Sequence, residues 1–317
     1  MNIIPSVNLQ DFLSRDEKRK QKFVDEIGKA YEEIGFVALK GHFLDDNLVD
    51  DLYTEVKKFF KLPVDVKKKY EFPELSGQRG YVSFGKESAK GKKEGDLEEF
   101  WHFGQYVENN PQLEEEYPAN IEVKELQKFN SIGKETYKML EKTAKYVLRA
   151  LALYLKLEET YFDEYIYNGN SILRPIHYPP IFEEPKEAVR AAAHGDINLI
   201  TLLMGAQGRG LQVKNHKGEW IDAIADPDEL MINVGDMLSR HTNNKLKSTI
   251  HRVINPPREL WGSSRYSIPF FMHPISAMKL NVLESCIDKD HPKQFEDITA
   301  GEFLHERLLE LGLINNN

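Results

Sequence analysis

The amino-acid sequence predicts an α+β fold in which helices come first and a β-sandwich or barrel follows. Apolar residues recur at helical spacing over 17–35, about 45–60 and roughly 123–155. From about 170 to 273, short runs rich in β-branched residues alternate with Gly, Pro and Asn instead. Several such strands in succession are typical of a sandwich or barrel rather than of βαβ units.

The amino-terminal part is expected to alternate helices with one buried strand. The first helix should end at Gly35 and lead into the strand Phe36-Val37-Ala38-Leu39, and the second should stop at Pro63. Residues 74–98 are rich in Gly, Lys and Ser with little periodicity, which predicts a long mobile loop. We assign this loop and the elements before it to a module spanning 1–120.

The remainder, 121–317, is expected to contain the long helix, interrupted near Gly133, followed by the β-rich core. A last helix is predicted near 300–312. The predicted strands of the core are Ile172-Leu173, Leu199 to Leu203, Leu211 to Val213, Leu230 to Val234, Ile250 to Ile254 and Tyr266 to Met272.

Composition narrows the class of protein. The chain has 317 residues, 41% hydrophobic and 29% charged, which is ordinary for a globular protein. A net charge of -9 disfavours a nucleic-acid binder, and neither a signal peptide nor an apolar run of membrane-spanning length is visible. Its single cysteine, Cys286, fits a reducing compartment. We therefore expect a cytoplasmic protein. Because the mouth of a β-barrel commonly holds a small-molecule site, we also expect a small-molecule partner, and we expect a monomer or weak homo-oligomer.

A possible metal site begins at His194-Gly195-Asp196. Side chains at positions i and i+2 of a strand share one face, so His194 and Asp196 can reach the same ion. A second imidazole, His251 in the run 248–254, would complete a set of two histidines and one carboxylate. Such a set occupies one face of an octahedral metal and is typical of non-haem Fe(II) oxygenases.

A second polar pair follows His251 by fourteen residues. Arg265 and Ser267 share one face of a predicted strand that continues into the apolar residues 268–271. A guanidinium and a hydroxyl on one face form a good receptor for a carboxylate, because arginine offers a planar fork of donors.

These residues in this order resemble the Fe(II)/2-oxoglutarate-dependent dioxygenases, specifically the isopenicillin N synthase-like group. The resemblance spans nearly the whole chain, although each further segment taken alone is weak evidence for it. Those segments are Ile4-Pro5-Ser6-Val7-Asn8-Leu9, Ile34-Gly35-Phe36-Val37, Arg79-Gly80-Tyr81, Glu99-Phe100-Trp101-His102-Phe103, Gly210-Leu211-Gln212-Val213 and Asn233-Val234-Gly235-Asp236.

The resemblance implies a double-stranded β-helix, or jelly roll, as the catalytic core, flanked by helices at both ends. It implies that Fe(II) binds to His194, Asp196 and His251, and that Arg265, Ser267 and Tyr178 hold the distal carboxylate of 2-oxoglutarate. The expected reaction uses O2, releases succinate and CO2, and hydroxylates or desaturates a small molecule.

Substrate residues follow less directly from the resemblance. Many plant members carry Asn-Tyr-Tyr-Pro where this chain has Ile-His-Tyr-Pro at 176–179. We therefore expect Arg174 or His177 to replace the asparagine or to face the substrate. The aromatic residues expected to line the pocket are Tyr81, Phe100, Trp101, Phe103 and Phe271.

Three alternatives remain open on the sequence. One is an oxidase resembling isopenicillin N synthase, which uses O2 without 2-oxoglutarate. Another is a zinc hydrolase, although zinc would leave the Arg265 and Ser267 pair unexplained. The third is a non-catalytic jelly-roll protein that binds a metal or a ligand.

Overall fold

The computed structural model describes residues 4–75, 77–86, 96–185, 188–205 and 210–310. Within them the helices are α1 (Leu9–Phe12), α2 (Glu17–Glu33), α3 (Asp46–Phe60), α4 (Val64–Lys67), α5 (Pro111–Glu116), α6 (Gln127–Tyr154), α7 (Asp163–Ile166), α8 (Asp236–His241) and α9 (Ala300–Glu310). The strands are β1 (Ser6–Asn8), β2 (Phe36–Lys40), β3 (Gly80–Val82), β4 (Glu99–Gly104), β5 (Ile172–Leu173), β6 (Ile176–Tyr178), β7 (Ala191–His194), β8 (Ile200–Met204), β9 (Leu211–Lys214), β10 (Trp220–Asp222), β11 (Leu230–Val234), β12 (His251–Val253) and β13 (Arg265–Met272).

The described strands form two sheets. The larger has the order β1-β2-β11-β8-β13-β5-β4-β3, with β6 paired to both β13 and β4. The smaller has the order β10-β9-β12-β7. Buried apolar residues of both sheets, among them Met231, Leu211 and Val253, pack in one cluster, so the sheets face each other. This arrangement is the jelly roll that the resemblance implied, and the α+β class is confirmed.

Strands from the first 120 residues complete the larger sheet. Strand β2 pairs antiparallel with β11, and β4 pairs with β5 and β6. The outer side of this sheet is covered by α6, whose buried face shares one core with strand residues such as Leu173, Leu202 and Phe270. The amino-terminal elements therefore help to hold the strands that carry the candidate site.

Helix ends follow local rules at the positions the sequence indicated. Asp16 and Asp45 cap α2 and α3 by accepting bonds from free backbone N–H groups. After α2 the chain turns at Gly35, which has φ +73° and donates its N–H to the Ala30 carbonyl oxygen. Its Cβ would lie 2.2 Å from the Lys247 carbonyl oxygen, so a glycine is required there.

Helix α6 is continuous through Gly133, where the sequence predicted a break. A Cβ at Gly133 would lie 2.3 Å from the Phe103 ring, so the glycine admits an aromatic side chain from β4. The residue marks a close contact between helix and sheet. It costs the helix some stability without ending it.

The prediction of one loop over 74–98 is wrong for the described part. Residues Pro73–Leu75 form a 3-10 turn, and β3 (Gly80–Val82) is a buried strand paired with β4. Three residues are too few for the alternation that reveals a strand in a sequence. Residues 76 and 87–95 lie outside the described ranges.

Candidate active site

Three side chains predicted as metal ligands converge between the sheets. His194 ends β7, His251 begins β12, and Asp196 lies two residues beyond His194. The Nε2 atoms of His194 and His251 lie 3.7 and 3.6 Å from Oδ1 of Asp196. All three ligand atoms lie within 4.8 Å of one another. These separations are too long for hydrogen bonds and suit one ion bound by all three atoms.

The other ring nitrogen of each histidine is held by the backbone. Nδ1 of His194 donates to the Ala192 carbonyl oxygen at 2.7 Å, and Nδ1 of His251 donates to that of Thr249 at 3.1 Å. A proton on Nδ1 leaves the lone pair of Nε2 directed towards the shared point. Both imidazoles are therefore fixed in the tautomer that binds a metal.

The Asp196 carboxylate is buried and oriented by two neighbours. Its Oδ2 accepts hydrogen bonds from Oγ1 of Thr201 at 2.6 Å and Nδ2 of Asn233 at 2.7 Å. Burial alone would raise the pKa of Asp196, but His251, His194 and these two hydrogen bonds outweigh it and lower the pKa. The carboxylate is thus ionised and presents Oδ1 towards the Nε2 atoms of both histidines.

The carboxylate receptor predicted from Arg265 and Ser267 lies in the same cavity. Arg265 and Ser267 begin β13, which pairs with β6 so that Arg265 lies opposite Tyr178. The Arg265 guanidinium carbon is 5.1 Å from the centre of the Tyr178 ring. Its Nη1 and Nη2 are buried and have no hydrogen-bond partner among the residues that the structure describes. A buried cation with two such donors is expected to bind an anion, because a desolvated charge without a partner raises the free energy of the folded protein.

One cavity of about 880 Å³ contains both groups. Arg174, Tyr81 and Phe271 line it, as the sequence predicted for substrate residues. A volume of this size is typical of small-molecule sites. Further lining comes from the carboxyl-terminal helix α9, including Leu304 and Arg307.

The prediction that Trp101 and Phe103 line the pocket is wrong. Both belong to the hydrophobic core and pack on Phe129 of α6, with ring centres 5.4 and 5.0 Å apart. Strand β4 alternates its side chains, so Phe100 and His102 face the cavity instead. Aromatic residues suit a pocket wall, but the sequence does not settle which face of β4 points into the cavity.

His177 also departs from its predicted role. Its Nδ1 donates to Glu99 at 2.8 Å, its Nε2 contacts the Ser264 hydroxyl at 3.0 Å, and its ring stacks on Tyr266 at 4.8 Å. Glu99 also accepts hydrogen bonds from Lys67 and Tyr81. His177 therefore belongs to a buried polar network behind the cavity wall, because Tyr178, its neighbour in β6, points the opposite way.

Sequence reasoning missed several cavity residues. Asn170, His102 and His273 line the cavity, whereas the sequence places His273 only at a strand end. Phe100, which the sequence did predict as a pocket aromatic, lines the cavity as well. Burial lowers the pKa of His273 to about 4, so its imidazole is neutral. Alternation along β4 is the one sequence signal that could have identified Phe100 and His102 as a pair.

A triad of two histidines and one carboxylate in a jelly roll, with Asp196 and His251 buried and His194 exposed, defines a non-haem oxygenase type of site when the same cavity holds an arginine that has no hydrogen-bond partner for Nη1 and Nη2 among the described residues. Two protein-family models that match the chain agree with this type of site. Residues 4–125 match the amino-terminal model of the non-haem dioxygenases in morphine synthesis, and 169–274 match the 2OG-Fe(II) oxygenase superfamily. The chain belongs to the 2OG-Fe(II) oxygenase superfamily.

Individual relatives point the same way. A 2-oxoglutarate-Fe(II) type oxidoreductase of Aspergillus fumigatus is 31% identical, with 84% of this chain and 81% of that protein covered. A 2OG-Fe(II) oxygenase family protein from Caulobacter crescentus is 41% identical, with 97% and 99% covered and a TM-score of 0.89. A Neurospora crassa protein crystallised in complex with alpha-KG and thymine is 29% identical, with 96% of each chain covered and a TM-score of 0.83.

These matches support a 2-oxoglutarate-dependent dioxygenase, with Fe(II) and 2-oxoglutarate as its cofactors, over the oxidase and the non-catalytic binding protein. Among the described residues, no helix is both long and apolar enough to cross a membrane.

Proposed function

We propose that His194, Asp196 and His251 bind Fe(II), and that Arg265, Ser267 and Tyr178 hold the distal carboxylate of 2-oxoglutarate. The observation that carries this proposal is the presence, in one cavity, of a convergent ligand set and of two Arg265 guanidinium nitrogens that have no hydrogen-bond partner in the described part of the chain. The donors fit the ion, because neutral imidazole and carboxylate bound on one side leave positions for a cosubstrate and O2. Bound there, Fe(II) and 2-oxoglutarate supply the oxidation, in which decarboxylation with O2 yields succinate, CO2 and the oxidised substrate.

The residues of the chain orient and shield the reactants. Thr201 and Asn233 hold the Asp196 carboxylate in place, while backbone carbonyl groups hold both imidazoles. Arg265 neutralises the distal carboxylate, and Ser267 contributes a hydroxyl donor on the same strand face. Apolar side chains of both sheets, among them Leu203 and Leu211, also line the cavity around these groups.

We further propose that the substrate is a small molecule contacted by Arg174, Tyr81 and Phe271, and that it is hydroxylated or desaturated. A cavity between two sheets admits a metabolite and not a nucleic-acid duplex. Because the Neurospora crassa relative is crystallised with thymine, thymine belongs in the first substrate screen. A cytoplasmic location and a monomeric or weakly self-associating state stay predictions from the sequence, and size-exclusion chromatography tests the second.

The proposal is tested by measuring succinate formed from 2-oxoglutarate under O2 with added Fe(II). We expect succinate from the wild-type protein, an increase with a true substrate, and loss with His251→Ala. His216→Ala, on an exposed turn after β9, is the matched control and should keep the wild-type rate. Consumption of O2 without succinate would overturn the assignment in favour of the oxidase.

A further inference from the structure

Two residues on the cavity wall form a fixed pair. Nε of Arg174 donates to Nε2 of His102 at 2.5 Å. Nδ1 of His102 in turn donates to the Gly77 carbonyl oxygen at 2.7 Å. Because a carbonyl oxygen only accepts, the proton must be on Nδ1, and Nε2 is left as an acceptor for the arginine. Gly77 therefore sets the tautomer that holds Arg174 in place.

The imidazole of His102 is neutral in this pair. Burial, and then the positive charges of Arg174 and Arg79, keep the pKa of His102 well below its usual value. A protonated ring would lose its acceptor and repel the guanidinium. The bond between His102 and Arg174 therefore persists at neutral pH.

Two aromatic rings lie close to the Arg174 guanidinium. Its carbon atom lies 4.2 Å from the centre of the Phe100 ring and 5.3 Å from that of Phe271. All these side chains line the large cavity, with Ile172 and Ile176 as apolar neighbours on it. A cavity wall built from a planar cation and two aromatic rings suits a flat, unsaturated ligand better than a saturated one.

We propose that Arg174 recognises a carboxylate or conjugated ring carbonyl on a flat substrate, and that His102 is the positioning residue that aims it. This inference rests on the proposed oxygenase function and specifies its substrate class. Arginine donates in one plane, so it matches a carboxylate or an amide-like carbonyl lying in the plane of a ring. The cavity thus has one arginine for the cosubstrate, Arg265, and a second for the substrate.

Calorimetric titration with four probes tests the proposed substrate class. The protein is kept anaerobic and is loaded with Fe(II) and 2-oxoglutarate. Benzoate carries a carboxylate on a flat ring, 2-pyridone carries a ring carbonyl, toluene lacks an acceptor, and cyclohexanecarboxylate lacks the flat ring. We expect benzoate or 2-pyridone to bind at least about tenfold more tightly than toluene, as charge-assisted hydrogen bonds imply. The stronger of the two identifies the acceptor, and cyclohexanecarboxylate should bind more weakly than benzoate.

Variants separate recognition from folding. Arg174→Met should abolish the preference for the acceptor probe over toluene, Arg174→Lys should keep part of it, and Arg149→Met on the outer face of α6 should change nothing. His102→Leu should weaken the acceptor probe while toluene is unaffected. His102→Asn, whose amide can donate to Gly77 and accept from Arg174, should restore binding.

Two results would overturn the inference. One is a wild-type protein that binds toluene as tightly as both acceptor probes, and the other is an Arg174→Met protein that keeps the preference. If the wild type still binds 2-oxoglutarate and forms succinate normally, either result rejects only the proposed substrate class. Failure of the wild type to bind 2-oxoglutarate rejects the proposed function itself.

Discussion

His194 and His251 lie directly opposite each other in the antiparallel ladder between β7 and β12, with ring centres 4.5 Å apart. They are separated by 56 intervening residues, so only the register of the smaller sheet brings the two imidazoles together. Asp196 reaches the same point without any further strand pairing, because it follows His194 by two residues. The metal site is thus one cross-strand pair plus one local neighbour.

The hydrogen bonds to Asp196 should control metal affinity. Thr201→Val and Asn233→Leu each remove one donor to Oδ2, and we expect Fe(II) to bind about 10–100-fold more weakly, as is typical for partners of metal ligands. Anaerobic Fe(II) titration measures the effect. Thr201→Ser keeps the hydroxyl and should bind Fe(II) as the wild type does, whereas equal loss in Ser and Val variants would contradict this role.

Arg265 should determine the choice of oxo-acid. Arg265→Met removes the proposed partner of the distal carboxylate, so the KM for 2-oxoglutarate should rise at least about tenfold. The KM for 2-oxobutanoate, which lacks that carboxylate, should hardly change. Steady-state kinetics with both oxo-acids check this. A similar rise for both would mean that the substitution disturbs the cavity generally.

The glycine in α6 should be irreplaceable despite its helical position. Alanine normally stabilises a helix by about 1 kcal/mol relative to glycine. At Gly133 the added Cβ meets the Phe103 ring, so Gly133→Ala should instead destabilise the protein by about 1–3 kcal/mol. Chemical denaturation compares it with Gly262→Ala, where no atom lies within 4 Å of the new Cβ. Combining Gly133→Ala with Phe103→Leu should cost less than the sum of the two changes.

Glu141 should make stability depend on pH. Burial raises its pKa from 4.5 to about 7, with a further contribution from Glu108. Because the folded pKa is the higher one, burying Glu141 costs no stability below about pH 4.5, and the cost grows as the pH rises to about 7 and above. Glu141→Gln should therefore gain about 1–2 kcal/mol at pH 8 relative to the wild type, after allowance for partial exposure.

Thermal unfolding at pH 5 and pH 8 measures this difference for Glu141. The Glu141→Gln protein should show a smaller change in Tm between the two values than the wild type. Glu108→Gln, at the more exposed neighbour, is the control and should retain most of the pH dependence. A wild-type Tm that rises from pH 5 to pH 8 by the same amount as in Glu141→Gln would contradict the raised pKa.

Much of the fold was accessible from the sequence because its signals are local. Helical periodicity placed α2 and α3 to within about two residues, and the run Leu230–Val234 matches β11 at both ends. Short strands such as β3 and β10 were missed, since three residues carry too little periodicity to be recognised. The spacing of His194 and Asp196 indicated a shared ion for the same local reason.

By itself, the sequence determined which residue types could bind iron and an oxo-acid, and in which order they occur along the chain. Only the tertiary structure decided that Phe100 and His102 of β4 face the cavity while Trp101 and Phe103 face α6. The tertiary structure also places the His177 side chain in a buried polar network behind the cavity wall. The physical reason is that a strand buried on both faces carries apolar residues on each, so its inner face depends on which elements pack against it.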